Sequence, residues 1–156
     1  MAIEFSVKES LPGRREKVFD ALTNIDAAPG WMPGDVRIEK LSEGPFGVGT
    51  EWRETRKMLG QEATEYFEVT GYEPPRRIAL RVDGSKGTSG KGEFLFEYLL
   101  EPKGDQTEVT LTGEIRGLGA LSGLVGKMMA GPMRKAVKKD LEALAEHLRD
   151  DSERAT

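Results

Sequence analysis

The ionisable side chains best placed for shared chemistry lie mainly on one predicted β-hairpin. Glu54 and Arg56 precede a turn at residues 59–60, Glu65 follows it, and Tyr98 lies on a later strand. A carboxyl group with a raised pKa or a tyrosine hydroxyl can donate or accept a proton, and a guanidinium can bind a ligand oxygen or carboxylate. These four side chains are therefore the candidates for catalysis.

The turn predicts which hairpin side chains share a face. If residues 59–60 form the turn, one face pairs Met58 with Gln61, Arg56 with Ala63, Glu54 with Glu65, and Trp52 with Phe67. The other face pairs Lys57 with Glu62, Thr55 with Thr64, and Arg53 with Tyr66. The second set is polar and complementary, as expected of a solvated face. The first set, with its large apolar side chains, is predicted to face inward.

The inward face carries charges that need an explanation. Glu54 and Glu65 are predicted to lie opposite each other, where two carboxylates repel unless one is protonated or a cation bridges them. Arg56 is close to Glu54 on the same face and diagonal to Glu65. Three interpretations remain open: a polar patch that contacts a ligand, groups solvated at the mouth of a cavity, or an internal salt bridge.

The remaining elements follow from hydrophobic periodicity. Alternating segments predict strands near residues 3–8, 36–42, 50–58, 61–72, 78–82, 94–100 and 107–116. Two short helices are expected near residues 18–22 and 24–31, and an amphipathic helix over residues 118–148. Pro132 is expected to bend or break that helix near residues 128–132. This order predicts an α+β domain over residues 1–150, with 151–156 as a disordered polar tail.

Composition excludes several classes of site. The chain of 156 residues has no cysteine and one histidine, so thiolate and multi-histidine metal sites are not expected. His147 lies near the end of the long helix, where a surface position explains it. The net charge of −4 argues against a nucleic-acid partner. We expect no cofactor, no metal, no stable membrane insertion, a cytoplasmic location, and a monomer or homodimer.

Short motifs in a fixed order carry a resemblance to a known family. They are Val18-Phe19, Trp31 with Pro33, Gly47-Val48-Gly49-Thr50, Val69-Thr70, Glu73-Pro74-Pro75-Arg76-Arg77, Tyr98-Leu99-Leu100-Glu101-Pro102, Thr107 with Val109, and Leu141-Glu142-Ala143-Leu144. The chain resembles the polyketide cyclase/dehydrase and lipid-transport superfamily of START-like, birch-pollen-allergen-like proteins. Gln106 stands where that family usually has glycine. The resemblance implies a helix-grip fold: a curved antiparallel sheet of about seven strands around a long C-terminal helix, with two short helices between strands 1 and 2.

The resemblance also implies a hydrophobic cavity between the sheet and the long helix. The side chains expected to line it are Trp31, Trp52, Glu54, Arg56, Met58, Phe67, Leu80, Phe96, Tyr98, Met128, Met129 and Met133. The apolar residues among them fill a core equally well. The charges of residues 134–154 alternate in sign and predict a solvated helix face.

Three functions remain open at this level. The first is binding or transport of a small hydrophobic ligand, lipid-like or polyketide-like and aromatic. The second is a polyketide cyclase or dehydratase that uses the carboxylate, arginine or tyrosine groups of the cavity. The third is a protein- or membrane-interaction module that presents apolar side chains from residues 44–49 and 117–133. The shared fold alone does not choose between them.

Overall fold

The computed structural model describes residues 2–58, 60–117 and 122–154, and in these ranges it describes the side chains except at 58, 122–127 and 129. The elements are β1 (Ile3–Pro12), α1 (Arg15–Thr23), a 3-10 turn (Ala28–Gly30), β2 (Arg37–Lys40), β3 (Glu51–Met58), β4 (Gln61–Glu73), β5 (Arg77–Asp83), a second 3-10 turn (Gly84–Lys86), β6 (Glu93–Lys103), β7 (Gln106–Arg116) and α2 (Ser122–Arg154). The predicted helix-grip order is confirmed. The second short helix is only a three-residue 3-10 turn, because Pro29 and Gly30 do not propagate an α-helix.

The seven strands form one antiparallel sheet in the order β1-β7-β6-β5-β4-β3-β2. Strands β2 to β7 form a meander. The last strand, β7, also pairs with β1, from Ile3 opposite Ile115 to Pro12 opposite Gln106. Both edges of the sheet therefore come from the N-terminal part of the chain. A glycine permits close packing near one edge, since a Cβ at Gly113 would lie 2.1 Å from Cζ of Phe5.

The long helix packs chiefly against β1. Its buried residues Val137, Leu141, Leu144 and Leu148 recur every three or four positions and join one core cluster with the sheet and α1. This one-sided packing anchors the C-terminal half of α2. The N-terminal half passes over the remaining inner face of the sheet.

The helix runs through Pro132 without ending there, so the expected break is not present. Proline removes one backbone hydrogen bond and crowds the preceding turn, but the hydrogen bonds on either side keep the rest of a long helix intact. The helix also includes residues 151–154, which the sequence pattern assigned to a disordered tail. No helix in the described ranges is long and apolar enough to cross a membrane.

Candidate functional site

A cavity of about 720 Å³ lies between the inner face of the sheet and α2. Strands β3 to β6 supply most of the floor, and the segment from α1 to the first 3-10 turn supplies one wall. The α2 side chains on this cavity include Met133, Ala136 and Val137, at helical spacing. The sheet and helix therefore enclose unfilled space, as the resemblance implied.

Most side chains proposed from sequence line this cavity. They are Trp31, Trp52, Glu54, Arg56, Glu65, Phe67, Leu80, Phe96, Tyr98, Met128 and Met133. Met58 and Met129 lie outside the side chains that the structure describes. The shared position of the eleven placed side chains on one cavity does not test whether they bind a ligand, so their ligand-binding role stays a prediction.

The β3–β4 hairpin has the register that the sequence predicted. Glu54 lies opposite Glu65, and Trp52 lies opposite Phe67. On the outer face, the hydroxyls of Thr55 and Thr64 are 2.8 Å apart. Because side chains alternate across a strand, this register directs Trp52, Glu54 and Arg56 into the cavity.

Trp52 forms part of a rigid aromatic wall. Its ring stacks on Phe67 with 5.3 Å between centroids and 7° between planes, and it lies 6.2 Å from Phe46. The buried Trp52 Nε1 has no hydrogen-bond partner in the described part of the chain. The wall is therefore an apolar aromatic surface with one unpaired donor.

A charged cluster forms the polar end of the cavity. Arg56 Nε donates to Oε1 of Glu54 at 2.8 Å, while Nη1 and Nη2 donate to Oδ1 and Oδ2 of Asp140 at 3.0 and 2.9 Å. The exposed fractions of the side chains are 18% for Arg56, 9% for Glu54 and 19% for Asp140. Of the three interpretations, the structure shows the internal salt bridge, and it places that bridge on the cavity wall.

Burial and charge shift the proton affinities in this cluster. Burial raises the pKa of Asp140, and this outweighs the lowering by the charge and hydrogen bonds of Arg56. Burial lowers the pKa of Arg56, but Asp140 and Glu54 raise it more, so the guanidinium stays charged. Burial also raises the pKa of Tyr98, with smaller contributions from Asp140 and Glu54, so its hydroxyl stays protonated. Asp140 is thus a carboxyl group whose pKa burial raises although it is paired with a guanidinium.

The raised pKa of Asp140 predicts a pH dependence of stability. A carboxyl whose folded-state pKa exceeds its unfolded value binds more protons when folded, so its stability contribution is full below the reference value of 3.8. That contribution decreases as pH rises through the raised pKa. The difference in unfolding free energy, wild type minus Asp140→Asn, should therefore decrease from acidic to neutral pH in urea titrations. A difference that increases with pH would contradict this assignment.

The sequence model of the family described as "Polyketide cyclase / dehydrase and lipid transport" matches residues 2–149. The chain belongs to this family. No curated protein sequence matches the chain. The suspected relationship is therefore confirmed at the level of the family.

Solved structures share the fold of this chain at low sequence identity. TTHA0849 from Thermus thermophilus is 18% identical with a TM-score of 0.78, over 96% of this chain and 99% of that one. The Zhui aromatase/cyclase from Streptomyces sp. R1128 is 17% identical with a TM-score of 0.77, over 94% and 93%. A START superfamily protein from Mycobacterium smegmatis is 19% identical with a TM-score of 0.72, over 93% and 98%. At these identities the similarity shows the helix-grip fold alone.

Asp140 is the charged residue among the described cavity-lining residues that the sequence interpretation missed. The alternating charges of residues 134–154 were assigned to a solvated helix face, and for Asp140 that assignment is wrong. Met133, Ala136, Val137 and Asp140 have the spacing of one helix face, and all four line the cavity. An acidic residue continuing an apolar stripe is the signal that identifies it.

Glu65 does not share Arg56 with Glu54. Its Oε1 accepts hydrogen bonds from the backbone nitrogen of Ser89, at 3.0 Å, and from the Ser89 hydroxyl. The other carboxylate oxygen, Oε2, is buried without a hydrogen-bond partner among the described residues. Glu65 therefore relieves its opposition to Glu54 by turning toward the β5–β6 connection, and the diagonal contact with Arg56 does not form.

The remaining sequence candidates have simpler surroundings. His147 lies 3.4 Å from Asp151 on the same helix and does not line the cavity. No group of three or more His, Cys, Asp or Glu side chains in the described part of the chain is arranged to hold a metal ion. Val48 and Met128 are exposed apolar residues within the two segments considered for an interaction surface, and that role stays a prediction.

Proposed function

We propose that this protein binds a small hydrophobic ligand in the cavity between the sheet and α2. The observation that carries the proposal is the cavity of about 720 Å³, which falls within the range of small-molecule sites. The family description, which names lipid transport, supports the same function. A domain that needed only a packed core would gain stability by filling this volume.

The walls suit a ligand with a large apolar body. Aromatic and aliphatic side chains cover most of the cavity, including Trp52, Phe67, Leu80 and Phe96. The polar groups that line it include the cluster around Arg56 and the hydroxyl of Tyr98. An apolar pocket with few polar groups buries most of a ligand and orients one end of it.

Native mass spectrometry with a panel of lipids and aromatic polyketides tests the proposal. The expected result is a one-to-one complex with at least one apolar class, accompanied by a change in tryptophan fluorescence because Trp31 and Trp52 line the cavity. If every compound leaves both the mass and the fluorescence unchanged, the cavity is not a binding site for these classes.

A larger side chain inside the cavity should block binding. Ala136→Phe adds a ring to the α2 wall, so we expect affinity for any cavity ligand to fall by about tenfold or more, through lost volume and lost contacts. Titration calorimetry measures the change. Lys139→Phe, on the exposed side of the same helix, is the control and should bind as the wild type does. Equal loss in both variants would place binding outside the cavity.

A second function, polyketide cyclase or dehydratase, is favoured by the acid–base groups at the polar end. In a dehydration, a carboxylate such as Glu54 would take the proton on carbon, and Asp140, after taking up a proton from water, would pass it to the departing hydroxyl to release water. Tyr98 has no hydrogen-bond partner for its hydroxyl among the described residues, so it is free to orient a substrate carbonyl. Incubation with a β-hydroxy ketone, followed by mass spectrometry, tests this. Loss of water with the wild type and not with Asp140→Asn would support catalysis, and no turnover would leave binding as the function.

A further inference from the structure

The charges on the cavity wall do not balance. Among the described residues that line it, Glu54, Glu65 and Asp140 carry carboxyl groups, and Arg56 is the one cation. The Arg56 cluster alone has two carboxylates around one guanidinium. A ligand that fills the cavity brings its polar group next to this excess with little water between them, and charges interact strongly there.

The guanidinium has almost no free donor for a ligand. Of its five N–H groups, one bonds Glu54, two bond Asp140, and the second on Nη2 lies 3.8 Å from Sδ of Met32, which leaves one N–H on Nη1 without a partner in the described part of the chain. A ligand carboxylate or phosphate could reach that single N–H only by approaching two carboxylates, and a bidentate contact would displace an existing hydrogen bond. Arg56 is therefore bonded mainly to Glu54 and Asp140. This bonding disfavours the sequence-based hypothesis that Arg56 anchors a ligand carboxylate.

Unpaired carboxylate acceptors lie at this end of the cavity, although the aromatic wall also carries one unpaired donor, Trp52 Nε1. Oε2 of Glu54 has no hydrogen-bond partner among the described residues, although the Glu54 side chain is nine-tenths buried and lines the cavity. The Tyr98 hydroxyl is likewise unpaired in the described part of the chain. A carboxylate oxygen that faces the cavity without a donor gains a charge-assisted hydrogen bond when a ligand donor reaches it.

We propose that the polar end of the cavity selects ligands whose polar group donates hydrogen bonds and carries no negative charge, such as hydroxyl or amine groups, and rejects carboxylates and phosphates. This proposal rests on the proposed function, since it specifies the ligand class of the same cavity. Glu54 Oε2 accepts the ligand donor, Tyr98 adds a second polar contact, and Arg56 holds both cluster carboxylates in place.

Four probes with one ring system test the selection: naphthalene, 2-naphthol, 2-naphthylmethylamine and 2-naphthoate. Their affinities are measured by calorimetry at neutral pH, where the amine is cationic and the acid anionic. We expect 2-naphthol and 2-naphthylmethylamine to bind at least about tenfold tighter than 2-naphthoate, because like charges brought together in a desolvated site repel. Naphthalene reports binding to the apolar walls alone.

Variants test whether the carboxylates cause the selection. Glu54→Gln should narrow the gap between 2-naphthylmethylamine and 2-naphthoate, and Glu54→Gln with Asp140→Asn should reverse it by leaving Arg56 as the uncompensated charge. Glu62→Gln, on the exposed outer face of the hairpin, removes the same charge and should leave the order unchanged. If the double variant fails to fold, the affinities of the four probes for the wild type and for Glu54→Gln still test whether the carboxylates cause the selection.

The outcomes separate the two proposals. If naphthalene binds while 2-naphthoate equals or exceeds the amine and the alcohol in the wild type, the selection is wrong and hydrophobic binding stands. If none of the four probes binds, the proposed function fails for aromatic ligands, and the selection fails with it. An unchanged order of affinities in Glu54→Gln and in the double variant would also overturn the assignment to these carboxylates.

Discussion

Replacing Arg56 with methionine is expected to destabilise the fold by about 3–5 kcal/mol, since it leaves Glu54 and Asp140 buried without their cation. Both carboxylates would then prefer to be protonated, so the folded state would bind more protons than the unfolded state. The loss of stability should accordingly become smaller as pH falls. Urea unfolding of the variant at several pH values measures both effects.

Two comparisons isolate the charge effect from simple loss of an arginine. Arg37→Met removes an exposed arginine that pairs with Glu62 on the outer face, and should change stability by about 1 kcal/mol or less. A triple variant, Glu54→Leu with Arg56→Met and Asp140→Leu, should recover most of the stability, because apolar residues often replace a buried ion cluster without loss. Equal effects of Arg56→Met and Arg37→Met would contradict the buried salt bridge.

Shortening Leu144 to alanine is expected to destabilise the protein by about 2–5 kcal/mol. Leu144 on α2 is fully buried in the core cluster that joins the helix to the sheet. Its loss removes buried methyl groups and leaves a void where α2 is anchored. Thermal and urea unfolding measure the change, and circular dichroism verifies that the secondary structure is retained.

The matched control is Leu99→Ala on β6. Leu99 is 36% exposed, so the same change in side chain should shift the unfolding free energy by only about 0.5 kcal/mol. If Leu144→Ala lowered the free energy of unfolding no more than Leu99→Ala does, the core around Leu144 would not be what anchors α2 to the sheet. Reduced ligand affinity in Leu144→Ala, at a temperature where the protein remains folded, would further link helix anchoring to the cavity.

The β3–β4 hairpin shows why much of the fold could be predicted from sequence. A two-residue turn with alternating side chains determines the register, and a one-residue slip would turn Trp52 and Phe67 to the solvent. Local pattern therefore sufficed to place Glu54 and Arg56 on the inner face. The helical periodicity of residues 118–148 then predicted the helix that covers them, and the family resemblance implied its place against the sheet.

Asp140 could not be placed by the same local reasoning. A helix that alternates charges offers several faces, and the packing of α2 on β1 decides which one meets the cavity. Glu65 was misjudged for a related reason, since its partner Ser89 comes from a connection between strands whose conformation no periodicity predicts. The hydrogen-bond partners of a charged side chain depend on tertiary contacts. The face of the sheet on which a strand side chain lies depends mainly on the register of the strand.

The pairing of β1 with β7 has a consequence for how the protein folds. Five strands separate β1 from β7 along the sequence, and α2 follows β7 and packs on β1, whereas β2 to β7 pair with their sequence neighbours. Contacts between distant segments form late, because a long loop must close before they add stability. Since α2 forms one side of the cavity and packs chiefly on β1, we expect the cavity to close only when these distant segments have come together.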